Sequence, residues 1–458
     1  MTHKKKILGL LFAGLVSSLS PLKAEVVAKD SLTTLQTRFK NHITYLASPR
    51  LGGRVPMTSG DTLTVNYIKE QFIAINGVEL IGENGLQEFA FAGLREPVSD
   101  SIYFSINGKK LKRGIDYQAS PYSQNGHLEG EVVYWNSAKP LIPDSMDLKD
   151  KIVMIDFKPA ADQSYWDLLK MHGDSVEKAK VAGLILVSND LGWQETNRTV
   201  NRRLVIATVS PKTAAQIKNG AKVDFRSKIE HGLRKQTKSN NVVARISAPA
   251  INNPAGEAIV IGAHHDHIGR TIKGQDTTYL YGADDNASGI GMLIEMARYF
   301  ASEKDRLVRD IVLVAFGAEE RGLQGSRYFA GNPLVPHDSI KGMFNFDMTG
   351  RMSAKTLHIR GVGTFAEAFG TLAAAPNKNM LNLNLIMSGT EPTDYASFYK
   401  KGIPTLSFSS GRHKDFHLHT DLESKINYQG MQMIYDYVVP VISRYVIEPG
   451  RMTYIKLK

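Results

Sequence analysis

Through the second half of the chain, continuous apolar runs alternate with amphipathic stretches. Ala258 to Ala263, Ile311 to Phe316, Gly342 to Met348, Leu357 to Arg360 and Thr405 to Phe408 read as strands. Between and after them, Ser288 to Ala301, a segment beginning near Leu323, Thr364 to Ala374 and Gln429 to Val446 carry helical apolar spacing. Strands apolar on both faces and alternating with helices predict an α/β fold of three layers, a mostly parallel or mixed sheet flanked by helices. Upstream, Ser31 to Ala47, with Ser31 as cap, and Asp61 to Ile75 read as amphipathic helices. The breaker-rich stretch Ser48 to Pro56 connects them. From about Asp100 to Glu230 the texture changes to short strand runs, Glu131–Tyr134, Lys151–Ile155 and Leu184–Val187, around one helix from Asp162 to Lys180. This predicts a small β-rich inserted domain, with the basic, polar stretch Arg226 to Asn241 as its return linker.

Composition narrows the chemistry. With 42% hydrophobic and 22% charged residues the chain is a folded globular protein. It contains no cysteine, which excludes thiol catalysis, thiolate metal sites and iron–sulfur clusters. The net charge of +11 raises the question of nucleic acid. Met1 to Ala24, however, reads as an export signal: Lys4 to Lys6, the apolar run Ile7 to Val16, then small residues. That run is too short to span a bilayer, so no stable membrane insertion is expected. Without this segment the charge is +7 over 434 residues, and no aromatic-rich basic motif accompanies it. A solvated surface explains that charge, and no nucleic-acid partner is expected.

Ligands of open α/β sheets bind outside the carboxyl ends of the strands. There the chain places His264-His-Asp-His267 after Ala263, Gly282-Ala-Asp-Asp-Asn286 after Tyr281, and Gly317-Ala-Glu-Glu-Arg321 after Phe316. Asp347 follows Phe346, and His413, His417 and His419 follow Phe408. Six of the thirteen histidines fall in the windows 264–267 and 413–419. A single such aspartate is usually a cap, an adjacent glutamate pair usually solvated surface, and a lone histidine usually satisfied by a neighbour. Five successive strand ends bearing acids or histidines are not explained that way. Imidazole and carboxylate donors without thiolate suit zinc, cobalt or manganese, and acids gathered at one edge call for cations.

These residues carry a resemblance. His264-x-Asp266, Gly-Ala-Asp-Asp285-Asn-Ala-Ser-Gly289, Ala-Glu319-Glu320-x-Gly-Leu-x-Gly-Ser326, Phe-Asp347-Met and Asp-Phe-His417, continued by Asp421, resemble the M28 family of zinc aminopeptidases. Leu46 to Arg54 is similar to that family's N-terminal segment. Residues 116–230, with Asp147 to Val153, resemble an inserted protease-associated domain. The resemblance implies a phosphorylase/hydrolase-like zinc exopeptidase fold. It divides the chain into a signal peptide at 1–24, the first part of the catalytic domain at 25–115, the insert, and the rest of the catalytic domain at 231–458. It also implies two zinc ions, one held by His264 and Asp347, the other by Glu320 and His417, with Asp285 bridging. Glu319 would be the general base and Asp266 the partner that orients His264. Asp284 would precede the bridging carboxylate, a junction often made by a cis peptide.

The implied activity is removal of N-terminal residues from peptides with a free α-amino group, by an exported enzyme, periplasmic or extracellular. Thr393-Asp-Tyr395 before Gly402-Ile-Pro404 departs from the Ser-Asp-His of many members and concerns substrate contacts. Two alternatives share the architecture: a glutaminyl cyclase-like acyltransferase with one zinc, and a non-catalytic receptor-like relative. The full set of five ligand positions and the base favours the peptidase. Oligomeric state is not encoded in any of these motifs.

Overall fold

The computed structural model describes residues 32–92, 102–120, 123–135, 147–156, 176, 179–188, 191, 204–217, 221–227, 236–273 and 276–457. The proposed signal peptide, the Ser31 cap and nearly all of the Asp162–Lys180 helix lie outside them.

Nine strands form one mixed sheet. Its order is Glu79–Leu80, Gln236–Ile246, Asp310–Phe316, Ala258–His264, Ile340–Phe346, Thr405–Ser409, Thr356–Arg360 and Asn382–Ile386, with Leu86–Ala92 also pairing Gln236–Ile246. The four central strands, from Asp310–Phe316 to Thr405–Ser409, run parallel, so their carboxyl ends lie on one edge. The chain moves from Ala258–His264 to Asp310–Phe316 on one side and then to Ile340–Phe346 on the other. His264 therefore ends the strand at which the order reverses, where open α/β sheets form their crevice.

Alternation along each strand builds two cores. Ile259, Ile261, Ala263, Leu313 and Phe344 pack with Phe39, Ile68, Leu293 and Val438 from the helices Thr34–Leu46, Ser59–Ile73, Gly289–Ser302 and Tyr428–Val446. Val260, Val312, Val314 and Met343 face the other way, onto Phe329 and Phe398. This is the expected helix–sheet–helix sandwich. The first helix is capped by Thr33, whose side chain accepts from the Gln36 N–H while Gln36 reaches back, a capping box.

A second sheet of eight strands runs Lys109–Lys110, Ile102–Ile106, Lys222–Ser227, Gly126–Trp135, Ile152–Asp156, Gly183–Val187, Val205–Val209 and Tyr117–Ala119. Phe104, Tyr117, Ile152, Ile185 and Phe225 share one core of its own. Val153, Leu184, Leu186 and Ile206 face a second. Its strands begin at Ile102, upstream of residue 116.

The reading of Arg226–Asn241 as linker fails at both ends, and its middle, 228–235, lies outside the described residues. Lys222–Ser227 is a strand of the second sheet, and Gln236–Ile246 is a long strand of the first. Its outer half looks like a linker because one face meets solvent. Its polar Asn241 is nevertheless fully buried, bonding Gln87 and the Gly325 carbonyl and accepting the Gly317 N–H.

Candidate metal centre

The turn Ala283–Ser288 delivers Asp285 to the strand-end edge. Gly282 enters it with φ 61°, and a Cβ there would lie 2.1 Å from the Asp285 carbonyl oxygen and 2.6 Å from His267, so only glycine fits. Asn286 pins the turn to the neighbouring strand: its Nδ2 donates to the Phe346 carbonyl at 2.9 Å, and its Oδ1 accepts from Gly289 and Met348 N–H. The Asp421 carboxylate accepts the backbone N–H of Asp284 and Asp285 at 3.0–3.1 Å. The cis bond lies between Asp285 and Asn286, one peptide after the expected position.

Around Asp285 the candidate residues form two groups. His264 Nε2 is 3.3 Å from Asp285 Oδ1 and 3.7 Å from Asp347 Oδ1. On the other side, His417 Nε2 is 3.1 Å from Asp285 Oδ2 and 3.4 Å from Glu320 Oε2. Donors about 2.0–2.1 Å from a tetrahedral zinc lie roughly 3.3 Å from one another, so these separations suit a cation between them. The donor set is nitrogen and carboxylate oxygen throughout, and the donor atoms of His264, Asp285 and Asp347, like those of His267, Asp285 and Glu320, lie within 4.8 Å of one another. The residues fit two divalent ions that share one carboxylate.

The supports explain the choice of atoms. His264 Nδ1 lies 3.1 Å from the Asp266 carbonyl, to which it can only donate, so Nε2 is the nitrogen turned toward Asp285 and Asp347. His265 instead bonds the Asn240 carbonyl through Nε2 and faces away. The Asp266 carboxylate is 3.9 Å from His264 and accepts the N–H of Glu319 at 2.8 Å and of Glu320 at 3.2 Å. Asp266 thus touches the histidine through its backbone and the glutamate turn through its side chain. Thr393, from the departing motif, donates to Asp347 Oδ2 at 2.7 Å.

Sequence reasoning assigned no role to His267. Its Nδ1 is 2.9 Å from Glu320 Oε1 and 3.7 Å from Asp285 Oδ2, beside the His417 ring. Its place three residues after His264 was the available signal. His419 is exposed, and no ion pair joins it to the cluster among the described residues.

Mutual proximity polarises these groups. Burial works against charge on every one of them. Even so, His417 is pushed up to about 10 by Glu320 and Asp285, and His264 is raised by Glu319, Asp285 and Asp347. Hydrogen bonds from His264 and His417 hold Asp285 well below the usual carboxylate range, and the charge of His417 brings Glu320 to about 2. Glu319 goes the other way: burial, then Glu320, Asp394 and Asp347, raise it well above an ordinary glutamate. Neighbours in sequence, the two glutamates have opposite tendencies, one held charged and the other pushed toward its neutral form.

Residues 241–442 match the model of peptidase family M28. An aminopeptidase of Pseudomonas aeruginosa is 30% identical over 181 residues, 37% of this chain and 31% of that protein. The aminopeptidase from Aneurinibacillus sp. strain AM-1 superposes with a TM-score of 0.60 at 23% identity, covering 92% of this chain and 96% of its own. The zinc aminopeptidase BSAP from Bacillus subtilis does so at 0.60 and 19%, covering 93% and 100%. At these identities the structural likeness shows the mixed α/β fold. The chain spans 31–67% of the length of the curated relatives it matches.

Proposed function

Residues 241–442 form a peptidase family M28 domain, and from that premise we propose that the chain is a zinc-dependent aminopeptidase using two metal ions. One observation carries the two-metal reading: Asp285 presents one oxygen to the His264–Asp347 pair and the other to the Glu320–His417 pair. His264 and Asp347 would hold one zinc, Glu320 and His417 the other, with Asp285 between them. His267 would steady Glu320. When bound, zinc supplies Lewis acidity, lowering the pKa of a water and stabilising negative charge on the attacked carbonyl oxygen.

The protein supplies the proton transfers. The raised carboxyl of Glu319 is matched to accept a proton from the attacking water and return it to the leaving amine. Asp266 holds the Glu319 and Glu320 backbone, so that base and ligand keep their separate directions. Substrates are peptides with a free α-amino group. The insert, expected at 116–230, resembles a protease-associated domain and would shape access without supplying chemistry. In support, its described histidine, His127, pairs with Asp224 on the second sheet, away from the cluster. The lysine-rich, then apolar pattern of residues 1–24 supports export to a periplasm or beyond the cell. Among the described residues no helix is long and apolar enough to cross a membrane.

Paired variants test the assignment. Glu319→Gln keeps shape but loses proton acceptance, so kcat should fall by ~10²–10⁴ with zinc content and KM little changed. Glu320→Gln should lower zinc occupancy as well as rate. Metal content and hydrolysis of aminoacyl amides, measured side by side, decide the matter. Zinc loss in Glu319→Gln with full occupancy in Glu320→Gln would reverse the roles.

A further inference from the structure

Among the described residues, the largest fully buried side chain is a cation that the proposed chemistry does not use. Arg54, 1% exposed, lies behind the metal-ligand loops. It is carried by a turn in which Gly52, Gly53 and Arg54 all have positive φ, at 54°, 78° and 56°. A Cβ on Gly53 would lie 2.2 Å from the Leu280 carbonyl oxygen and 2.5 Å from Gly269 Cα. The turn is thus pressed against the Gly269–Lys273/Asp276–Leu280 hairpin that joins the two ligand loops.

A guanidinium has five N–H donors in a rigid planar fork. Here five contacts run to backbone carbonyls: Nε to His265 at 2.8 Å, Nη1 to Leu46 at 2.8 Å and Tyr281 at 2.6 Å, Nη2 to Gly282 at 3.0 Å and Asp285 at 3.4 Å. Three segments meet on one rigid group: the end of the first helix, the loop after His264 and the turn that presents Asp285. No carboxylate contacts Arg54 among the described residues, yet its charge acts on Asp285, Asp266, Asp421 and Glu320 from behind. A residue placed only for packing would not be a charged one with its donors directed at both ligand loops.

We propose that Arg54 is a positioning residue that sets the spacing of the His264 and Asp285 loops and so keeps the shared carboxylate ready for a second metal. The inference rests on the two-zinc reading above. Before metal arrives, the carboxylates repel one another, and the Arg54 charge and clamp oppose that spreading. Losing the clamp should therefore weaken the second zinc more than the first.

The experiment is zinc titration of metal-free protein at buffered free zinc, with bound metal counted and the thermal midpoint recorded at each step. Arg54→Met removes charge and donors. Arg54→Lys keeps the charge and at most three donors, and it carries the test should the Met variant fail to fold. Arg309→Met is the control, because Arg309 also donates to carbonyls, of Tyr445 and Gly450, but at the opposite end of its strand from Glu319. Expected is a second-zinc affinity reduced ~10–100-fold in Arg54→Met, as for other outer partners of metal ligands, and partial recovery in Arg54→Lys. The zinc-induced rise in midpoint should shrink in both, and kcat should fall more than KM rises. Arg309→Met should lower the midpoint while keeping the wild-type titration. If wild type takes two zincs and the Arg54 variants match its titration despite lower midpoints, Arg54 is merely structural and the inference falls. If wild type takes only one zinc, the two-zinc reading falls and this inference with it.

Discussion

The two sheets of this protein are built alike in the middle and differ at their ends. Both have central parallel strands of buried apolar residues, Ile259-Val-Ile261 in one and Val153-Met-Ile155 in the other. Beyond the strand ends of the nine-stranded sheet stand His264, Asp285, Glu319, Glu320, Asp347 and His417. Among the described residues, parallel strands of the second sheet end on Asp156 or run on to Ser188 and Ser210, the last capping a short helix. Buried side-chain atoms without a partner follow the same division. His267 Nε2 and both oxygens of Asp394 are such groups near the first edge, where Asp284 Oδ2 faces His413 Nε2 at 3.2 Å and Asp285 Oδ2 faces His417 Nε2 at 3.1 Å, whereas Ser227 Oγ is the one example in the second sheet among the described residues. An unpaired buried polar group costs about 1–3 kcal/mol, so a fold carries several together only where something else satisfies them. The scaffold is common to both regions, and the chemistry sits on the loops of one.

The largest expected effects come from opening a cavity in each region in turn. Phe344, fully buried, packs on Phe408 and Tyr445 beneath the metal-ligand edge. Phe225, equally buried, packs on Phe104 and Tyr117 in the second sheet. Each Phe→Ala change should cost about 3–5 kcal/mol. They should differ in consequence. Phe344→Ala should lower the unfolding step that zinc stabilises, and Phe225→Ala should leave zinc content and turnover of a small aminoacyl amide intact. Calorimetry with and without zinc, alongside metal content, reads both. Zinc loss in Phe225→Ala would break the comparison and tie the second sheet to the metal site.

The same contrast explains what the sequence disclosed. Ala258–Ala263 and Ile311–Phe316 were legible as strands because both faces are buried, which removes polar positions from the run. The candidate site was legible because its imidazole and carboxylate groups gather just past such strands, and those residue types are costly to bury unpaired. Gln236–Asn241 was not legible, since its exposed face carries the polar residues of a linker and its buried Asn241 is satisfied by tertiary partners. The part of Asp266 was only half legible: sequence spacing brings it near His264 but does not distinguish its carbonyl from its carboxylate. Arg54 looked like a residue in a breaker-rich connection, because its acceptors are backbone atoms from distant segments and leave no side-chain pattern.

The smallest expected effect separates buried acids by whether the protein itself partners them. Glu295, fully buried on the Gly289–Ser302 helix, accepts from Arg38 at 2.6 Å and lies 3.2 Å from His42 Nε2 and 3.5 Å from Arg298. Burial alone would raise its carboxyl, but the hydrogen bonds of His42 and Arg38 bring it below the ordinary value. A carboxyl depressed in the folded state stabilises the protein at pH above its unfolded value, near 4.3, and loses that contribution as pH falls through its folded value. Glu295→Gln should therefore cost about 1–3 kcal/mol at neutral pH, where charge-assisted hydrogen bonds are lost. The difference from wild type should shrink as the pH falls through the folded value of Glu295. Zinc content at pH 7 should not change, because these partners are side chains of the protein's own and Glu295 touches no proposed ligand. Denaturant midpoints of both proteins across the acid range, with bound zinc counted at neutral pH, provide the check. A difference that persists undiminished at the lowest pH would show that Glu295 acts through packing and not through its charge. A loss of zinc would show that the partnered and unpartnered acids of this domain are one network, against the division argued above.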